Sequence, residues 1–493
     1  MLDMRFAHSV TDTAPGHAAL YTALVPRENG IYANDRLDPQ TRRSTSIFRD
    51  EATHLVGEGG VLEAHGSSLA PLVGETVADR LRAERPDSFI VALSLKDRGA
   101  MFAGGRKPDA SIWYDQREGL VTSTAFATEL PLWARGGAKA IAAATAKPWT
   151  LLDDAFVRAN ALTPDDQSGE GDAGGLGRTF PHPAPASTPI PTSSVRYTPA
   201  ADELLLALGL AAVDARGKRP MFLSLSLSTH DYVGHVWGPD SWEAWDELAH
   251  LDAALARFFV ALDARVGPRG WAVVLSADHG ATSMPEAVPL VSLWCKPGAP
   301  PDRRARPCGP ATRVVPAMLA DELEEAAERA LGGGNWILGL ADPYLYFTRE
   351  ALALPESKRD ALESAIRNAL ARHPEVARVE KGGKRASCEP GESIESLICR
   401  SLTDASTGAL YIALTPGSYF ESGHAIGRGA SHGSPYLFDR SVPLIVRAPG
   451  AASGVVVSEP VPFESHSRTL CSALGLGCFS AARQGRDFTA PAR

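Results

Sequence analysis

The amino-acid sequence predicts an α/β fold, because strand-like runs alternate with helix-like runs along the chain. Met221–Ser228 alternates apolar residues with serine, which is the period-2 pattern of a strand. Two further strand-like runs cover Ala272–Leu275 and Val442–Val446. Helical patterns precede and follow the first of these runs, at Ala200–Ala215 and Trp242–Leu262.

Acidic and imidazole side chains lie at the ends of these strand-like runs. Asp231 and His235 follow the first run, Asp278 and His279 follow the second, and His432 lies shortly before the third. Open α/β sheets bind ligands at the carboxyl ends of strands, and zinc prefers oxygen and nitrogen ligands of these types. Five potential ligands predict two metal ions, a pairing that suits phosphoryl transfer. The alternative is three unrelated turns with solvated polar side chains.

Six longer motifs occur in order along most of the chain. They are TAPGH, NGIYAND, SLKDRG, DYVGHVWGPDS, ADHG and HGSPYLFDRSVPLIV. Together they resemble the alkaline phosphatase superfamily, and within it the PafA-like alkaline phosphatases that use a threonine nucleophile. The resemblance implies an alkaline-phosphatase-like fold, with a central, mostly parallel sheet flanked by helices and an inserted α+β cap subdomain.

The resemblance also implies roles for two residues near the start of the chain. Thr13 precedes a proline and a run of helix formers, so we expect it at a helix N-cap, where free N–H groups favour an anion. It matches the family nucleophile, whereas Thr11 lies two residues too early. Asn34 matches an asparagine that donates a hydrogen bond to a phosphate oxygen. On local pattern alone, Thr13 is a capping residue and Asn34 a turn residue.

Lys96 and Arg98 follow the strand-like run Phe89–Leu95. Cations at a strand end are usually solvated, but at the ligand end of a sheet they can hold the oxygens of a dianionic phosphoryl group. The matching pair does this in the PafA-like monoesterases, and relatives that prefer diesters lack it. These two residues therefore favour phosphate monoesters as substrates.

The resemblance implies two Zn²⁺ ions with separate ligand sets. The first set is Asp231, His235 and His432, and the second is Asp278, His279 and the Thr13 hydroxyl. PafA-like enzymes take a further aspartate ligand from a strand well upstream of the nucleophile. Because Thr13 lies so near the start, we expect the true N-terminus upstream, a weakened second site and slow turnover. We expect neither Asp3 nor Asp12 to substitute.

Composition limits the location and the partners. The chain has 493 residues and a net charge of −9, which argues against a nucleic-acid-binding surface. No apolar run approaches the ~20 residues that span a bilayer. The six cysteines form three sequence-near pairs, Cys295 with Cys308, Cys388 with Cys399 and Cys471 with Cys478. Close pairs suggest disulfides and a periplasmic or extracellular location, although no signal peptide is present in the given chain.

We predict a catalytic core at residues 1–284 and 421–493, interrupted by a cap subdomain at 285–420. Asp165–Ser194 reads as a surface excursion and Ser67–Glu84 as a helix. The leading function is hydrolysis of small phosphate monoesters through a phosphothreonine intermediate. The alternatives are a phosphodiesterase or nucleotide pyrophosphatase of the same superfamily, or a catalytically impaired metal-binding homologue.

Overall fold

A computed structural model describes residues 3–188, 191–291, 311–421 and 423–489. The strands in these residues are β1 (Met4–Arg5), β2 (Asp35–Leu37), β3 (Ser44–Ser46), β4 (Arg49–Gly57), β5 (Gly60–Ser67), β6 (Phe89–Ser94), β7 (Ala110–Asp115), β8 (Gly119–Ser123), β9 (Met221–Ser226), β10 (Val273–Ser276), β11 (Arg313–Val314), β12 (Ile337–Ala341), β13 (Tyr344–Phe347), β14 (Val376–Lys381), β15 (Ala409–Leu414), β16 (Tyr419–Phe420), β17 (Ser441–Val442), β18 (Leu444–Arg447) and β19 (Val461–Pro462).

The α-helices of the same residues vary from one turn to seven turns. They are α1 (Thr13–Thr22), α2 (Pro26–Asn29), α3 (Val77–Glu84), α4 (Asp97–Gly104), α5 (Gly137–Ala144), α6 (Asp154–Asn160), α7 (Pro191–Ser194), α8 (Ala200–Ala215), α9 (Thr229–Trp237), α10 (Trp242–Val266), α11 (Val288–Val291), α12 (Pro316–Leu331), α13 (Arg349–Leu352), α14 (Glu356–Leu370), α15 (Ile394–Ser401), α16 (Leu437–Arg440) and α17 (Glu464–Ala473). None of them is long and apolar enough to cross a membrane, within the described residues.

The largest sheet has six strands in the order β5-β4-β8-β7-β6-β9. Strand β6 pairs in parallel with both β7 and β9, and its six residues are all buried. The α/β class is therefore confirmed, but the sheet is mixed, because β8 and β4 run antiparallel to their neighbours. Strand β8 returns from β7 through a short turn, and so tight a connection permits only antiparallel pairing. The parallel strands β9 and β6 carry the candidate site at their carboxyl ends.

Residues between β11 and β16 build a second sheet, in the order β12-β13-β15-β14. Helices α12 and α14 bury Leu323 and Ile366 against this sheet, in a core separate from that around β6. Strands β11 and β16 pair in parallel, so the chain enters and leaves this unit at one place. The predicted α+β insertion is visible here, while its boundaries at 285 and 420 stay a prediction.

Two sequence-based expectations were wrong in detail. The helix expected over Ser67–Glu84 begins only at Val77, where Thr76 and Asp79 form a reciprocal capping box. The segment Asp165–Ser194 is only in part a surface excursion, since Glu170 and His182 within it are fully buried while Asp172 and Thr179 are exposed. Its low apolar content concealed these buried polar side chains.

The cysteine pairing agrees with the prediction wherever the structure describes it. Cys388–Cys399 and Cys471–Cys478 are disulfides, with Cα–Cα distances of 5.7 and 5.5 Å. The third predicted pair, Cys295 and Cys308, lies outside the described residues.

Two acidic side chains are buried near one another, that of Glu170 and that of Glu243 in the first turn of α10. Glu170 and Glu243 expose no surface, and Glu243 Oε1 lies 3.1 Å from His182 Nε2. One Glu170 oxygen accepts a hydrogen bond from the backbone N–H of Gln167, while Oε1 has no partner among the described residues. Burial, and then the negative charge of Glu243, raises the pKa of Glu170 to about 10.

We expect Glu170→Gln to stabilise the protein under alkaline conditions. The raised pKa means that the folded protein retains a proton that the unfolded chain releases above about pH 4.5. Wild-type stability should therefore fall as pH rises towards the folded pKa, and a neutral glutamine removes that loss. Urea unfolding should show little difference near about pH 5 and a gain of about 1–3 kcal/mol near about pH 8. Exposed Glu63→Gln is the control; equal pH profiles for wild type and Glu170→Gln would contradict the prediction.

Candidate active site

Asp231 and His235 lie on helix α9, which begins just after the parallel strand β9 ends. Their spacing of four residues places both side chains on one face of the helix. His235 Nδ1 lies 3.0 Å from the carbonyl oxygen of Ala430, and Nε2 lies 3.6 Å from Asp231 Oδ2. The carbonyl contact selects the tautomer with the proton on Nδ1, so Nε2 presents a lone pair towards Asp231.

His432 completes a compact three-residue group. Its Nδ1 lies 3.0 Å from the carbonyl oxygen of Thr11, and its Nε2 lies 3.5 Å from Asp231 Oδ1. The ligand atoms of Asp231, His235 and His432 all lie within 4.8 Å of one another. The carboxylate is ionised, because despite burial the charge of Lys96 holds the pKa of Asp231 well below its usual range. An ionised carboxylate with two converging imidazoles fits one divalent metal ion.

Asp278 and His279 lie just beyond β10 and face the same space. Asp278 Oδ2 lies 3.1 Å from His17 Nδ1, and the rings of His279 and His432 stack with centroids 3.6 Å apart. His279 Nε2 is buried without a hydrogen-bond partner in the described part of the chain, as expected of an available ligand. However, no three-residue group of the described ranges contains Asp278 or His279. The five predicted carboxylate and imidazole ligands lie close together. Asp231, His235 and His432 form one complete ligand set, and Asp278 and His279 form a pair.

Helix α1 packs directly on the Asp278 backbone. A Cβ on Gly16 would lie 2.1 Å from the Asp278 carbonyl oxygen, so only glycine allows this approach. Thr13 is the first residue of α1, and the N-cap is Asp12 rather than Thr13 as predicted. The close packing brings the N-terminus of α1 to the candidate ligands.

Lys96 and Asn34 both contact the start of α1. Lys96 Nζ lies 3.3 Å from Thr13 Oγ1 and also donates to the carboxylate of Asp231. Asn34 Oδ1 accepts a hydrogen bond of 2.8 Å from the backbone N–H of Ala14. That bond directs the other end of the amide, an N–H₂ donor, away from the helix.

Arg98 lies two residues beyond Lys96 in the first turn of α4. Its Nη1 lies 3.5 Å from Asp97, and its buried Nε has no hydrogen-bond partner within the described ranges. The predicted cations thus lie where β6, the strand beside β9, ends.

Sequence reasoning missed several residues around this site. Asp12, which was not expected to substitute for a metal ligand, contacts one of the candidate ligands, because its Oδ1 lies 3.3 Å from His432 Nδ1. Asp3 lies elsewhere, paired with Arg5. The His424 ring lies against that of His235, tilted by 39° with ring centroids 4.8 Å apart. These contacts join distant parts of the chain, so no local pattern revealed them.

Comparison with known proteins identifies the family and the fold. Residues 6–315 match the family of type I phosphodiesterases / nucleotide pyrophosphatases. The chain is 28% identical to alkaline phosphatase PafA of Elizabethkingia meningoseptica, covering 90% of this chain and 79% of PafA. It is 28% identical to alkaline phosphatase PhoD of Zymomonas mobilis, covering 93% of this chain and 76% of PhoD. The crystal structure of wild-type PafA gives a TM-score of 0.83 at 25% identity, covering 99% of this chain and 91% of that chain.

The fold and the site define a phosphatase-type enzyme of the alkaline phosphatase superfamily. The chain belongs to the type I phosphodiesterase / nucleotide pyrophosphatase family. The predicted resemblance, the alkaline-phosphatase-like fold and the assignment as an enzyme are confirmed.

Proposed function

We propose that the protein hydrolyses small phosphate monoesters through a phosphothreonine intermediate on Thr13. The observation that carries this proposal is the position of Lys96, whose Nζ lies 3.3 Å from Thr13 Oγ1 at the N-terminus of α1. A cation beside a hydroxyl stabilises the alkoxide that must form before attack on phosphorus. The N-terminus of α1 also directs the positive end of the helix dipole towards the phosphoryl oxygens.

The reaction follows from these positions in two displacements. Substrate binds with its phosphoryl oxygens directed at Lys96, Arg98 and the Asn34 amide. Thr13 Oγ1 attacks phosphorus as the bond from phosphorus to the leaving oxygen breaks, and the proton lost from Thr13 leaves with the departing alcohol or phenol. A water molecule then attacks the phosphothreonine, which releases inorganic phosphate and restores the hydroxyl. The same cations stabilise the charge that spreads over the phosphoryl oxygens in both transition states.

Asp231, His235 and His432 would hold the first metal ion, and Asp278, His279 and the Thr13 hydroxyl a second. A bound divalent cation supplies Lewis-acid stabilisation of the entering and leaving oxygens. We propose zinc at both positions because the ligands are imidazoles and carboxylates, with weaker binding at the second. Lys96 also donates to Asp231, so it orients that carboxylate towards the two histidines.

We further propose that the enzyme acts in the periplasm or outside the cell, because two disulfides are present among the described residues. The net charge of −9 favours small substrates drawn by local cations over nucleic acid partners. We also propose the division into a core at 1–284 and 421–493 and an inserted unit at 285–420.

The test compares an aryl phosphate monoester with its methyl diester, after the protein is stripped with a chelator and reloaded with zinc. We expect a kcat/KM for the monoester about 100-fold or more above that for the diester, because Lys96 and Arg98 stabilise a transferring group that carries two negative charges. Chelation should abolish turnover, and metal analysis should find the first zinc retained longer than the second.

Other outcomes select the alternatives. Preference for the diester would favour the phosphodiesterase or nucleotide pyrophosphatase activity after which the family is named. Zinc binding without turnover of either substrate would indicate a catalytically impaired homologue.

A further inference from the structure

A second cationic site lies beside the one described above, and it is built around the ring of Tyr232. Tyr232 follows the candidate ligand Asp231 on α9 and is buried. Lys96 Nζ lies 4.9 Å from the centroid of its ring, and the guanidinium carbon of Arg196 lies 4.8 Å from the same centroid. The ring of Tyr232 is therefore in contact with both Arg196 and Lys96, the cation that we place on the transferring phosphoryl group.

Aromatic side chains lie between Arg196 and the candidate metal ligands. The rings of Tyr197 and Tyr232 meet edge to face with centroids 5.5 Å apart. His424 lies edge-on to Tyr232 at 5.9 Å, and its ring is tilted against that of the candidate ligand His235, with centroids 4.8 Å apart. Rings at this position suit contact with a planar leaving group that extends from the phosphorus towards Arg196.

The guanidinium of Arg196 forms its hydrogen bonds with neutral groups. Its Nη2 donates to the Tyr197 hydroxyl at 2.8 Å, and the amide oxygen of Gln116, once oriented to accept, lies 3.0 Å from Nη2. Arg196 Nε is buried and makes no hydrogen bond to a described residue. No carboxylate of the described residues forms an ion pair with it. By contrast, Lys96 pairs with Asp231 and Arg98 with Asp97.

A partly buried guanidinium without a carboxylate partner is costly unless an anion neutralises it. A guanidinium presents its donors in a planar fork that matches a carboxylate or a phosphate. We propose that Arg196 binds a second anionic group, carried on the leaving group of the substrate. The preferred substrates are then phosphate monoesters whose leaving group is planar and bears a carboxylate or a further phosphate.

This inference rests on the proposed function, and its test uses three matched substrates. They are phenyl phosphate, 3-carboxyphenyl phosphate and 3-carbamoylphenyl phosphate, the last having the shape of the second without its charge. The zinc-loaded wild type should prefer the carboxylate over the carboxamide by about 10- to 100-fold in kcat/KM, as expected for a charged hydrogen bond. Arg196→Gln should reduce that preference to about one, and Arg196→Lys should retain part of it.

A matched control is Arg158→Gln, because Arg158 also lies over an aromatic ring, at 4.7 Å from Trp242, but on the exposed surface. It should keep the wild-type preference. Each ratio is compared between variants, so the intrinsic reactivity of the substrates cancels. A wild-type preference near one, or a preference that Arg196→Gln leaves intact, would overturn the assignment. Equal losses on all three substrates would show instead that Arg196 only supports the fold.

Failure of the proposed function would look different, because the wild type would then turn over none of the three esters. In that event the same comparison is made by thermal shift, with the non-hydrolysable 3-carboxyphenyl and 3-carbamoylphenyl phosphonates. Stronger stabilisation of wild type by the carboxylate, lost in Arg196→Gln, would still support the second anion site. Equal stabilisation by both compounds would overturn it.

Discussion

Replacing Thr13 by alanine is expected to lower phosphate monoester hydrolysis by about 1,000-fold or more, because alanine lacks the hydroxyl that accepts the phosphoryl group in the proposed first displacement. Thr13 is almost fully buried, and the Lys96 ammonium is its polar neighbour. The measurement is kcat/KM on phenyl phosphate with the zinc content determined in parallel. Unchanged zinc at the first site would separate loss of the nucleophile from loss of the metal.

Thr13→Ser should keep part of the activity, because serine retains an attacking hydroxyl. Acid quenching during turnover should trap phosphate on residue 13 in the wild type and in Thr13→Ser, and not in Thr13→Ala. Thr22→Ala is the matched control, since Thr22 lies in the same helix and its hydroxyl bonds to backbone groups, donating to the Ala18 carbonyl and accepting from the Leu24 N–H. Activity of Thr13→Ala within about tenfold of wild type would refute the covalent mechanism.

The ligand-bearing strands were predictable because their signals are local. Asp231 and His235 lie one helical turn apart, directly after a strand whose alternation is visible in the sequence. In the same way, the Asp278–His279 pair follows a strand that its apolar residues reveal. At such positions residue type, spacing and the end of a strand all indicate one edge of the sheet.

The surroundings of the ligands were not predictable, because they depend on contacts between distant segments. His432 meets Asp12 across a separation of 420 residues, and the carbonyl of Thr11 across 421. Arg196 lies in a short 3-10 helix and Lys96 is the N-cap residue of α4, yet both contact the ring of Tyr232. The burial of Glu170 was not predicted for another reason: polar residues in a glycine-rich segment predict exposure, and only tertiary packing overrides that prediction.

Replacing both Lys96 and Arg98 by alanine is expected to change the preference for the ester as well as the rate. The transferable group of a monoester carries two negative charges and that of a diester carries one. Each cation should therefore contribute more to the monoester transition state. We expect kcat/KM to fall about 100- to 10,000-fold on the monoester and about tenfold on the diester.

Lys96 and Arg98 differ in their other contacts, so their single alanine variants can be interpreted separately. Lys96 donates a hydrogen bond to Asp231, so Lys96→Ala also removes a partner of a candidate metal ligand. Arg98, by contrast, makes no hydrogen bond to Asp231 or Thr13 in the described residues. Arg98→Ala alone should thus alter the monoester preference at unchanged zinc content, with exposed Arg117→Ala as the control for removing a surface cation. Equal losses on the monoester and the diester in Arg98→Ala, with zinc retained, would mean that Arg98 does not bind the transferring group. Specificity for monoesters would then have to come from Lys96 and the N-terminus of α1.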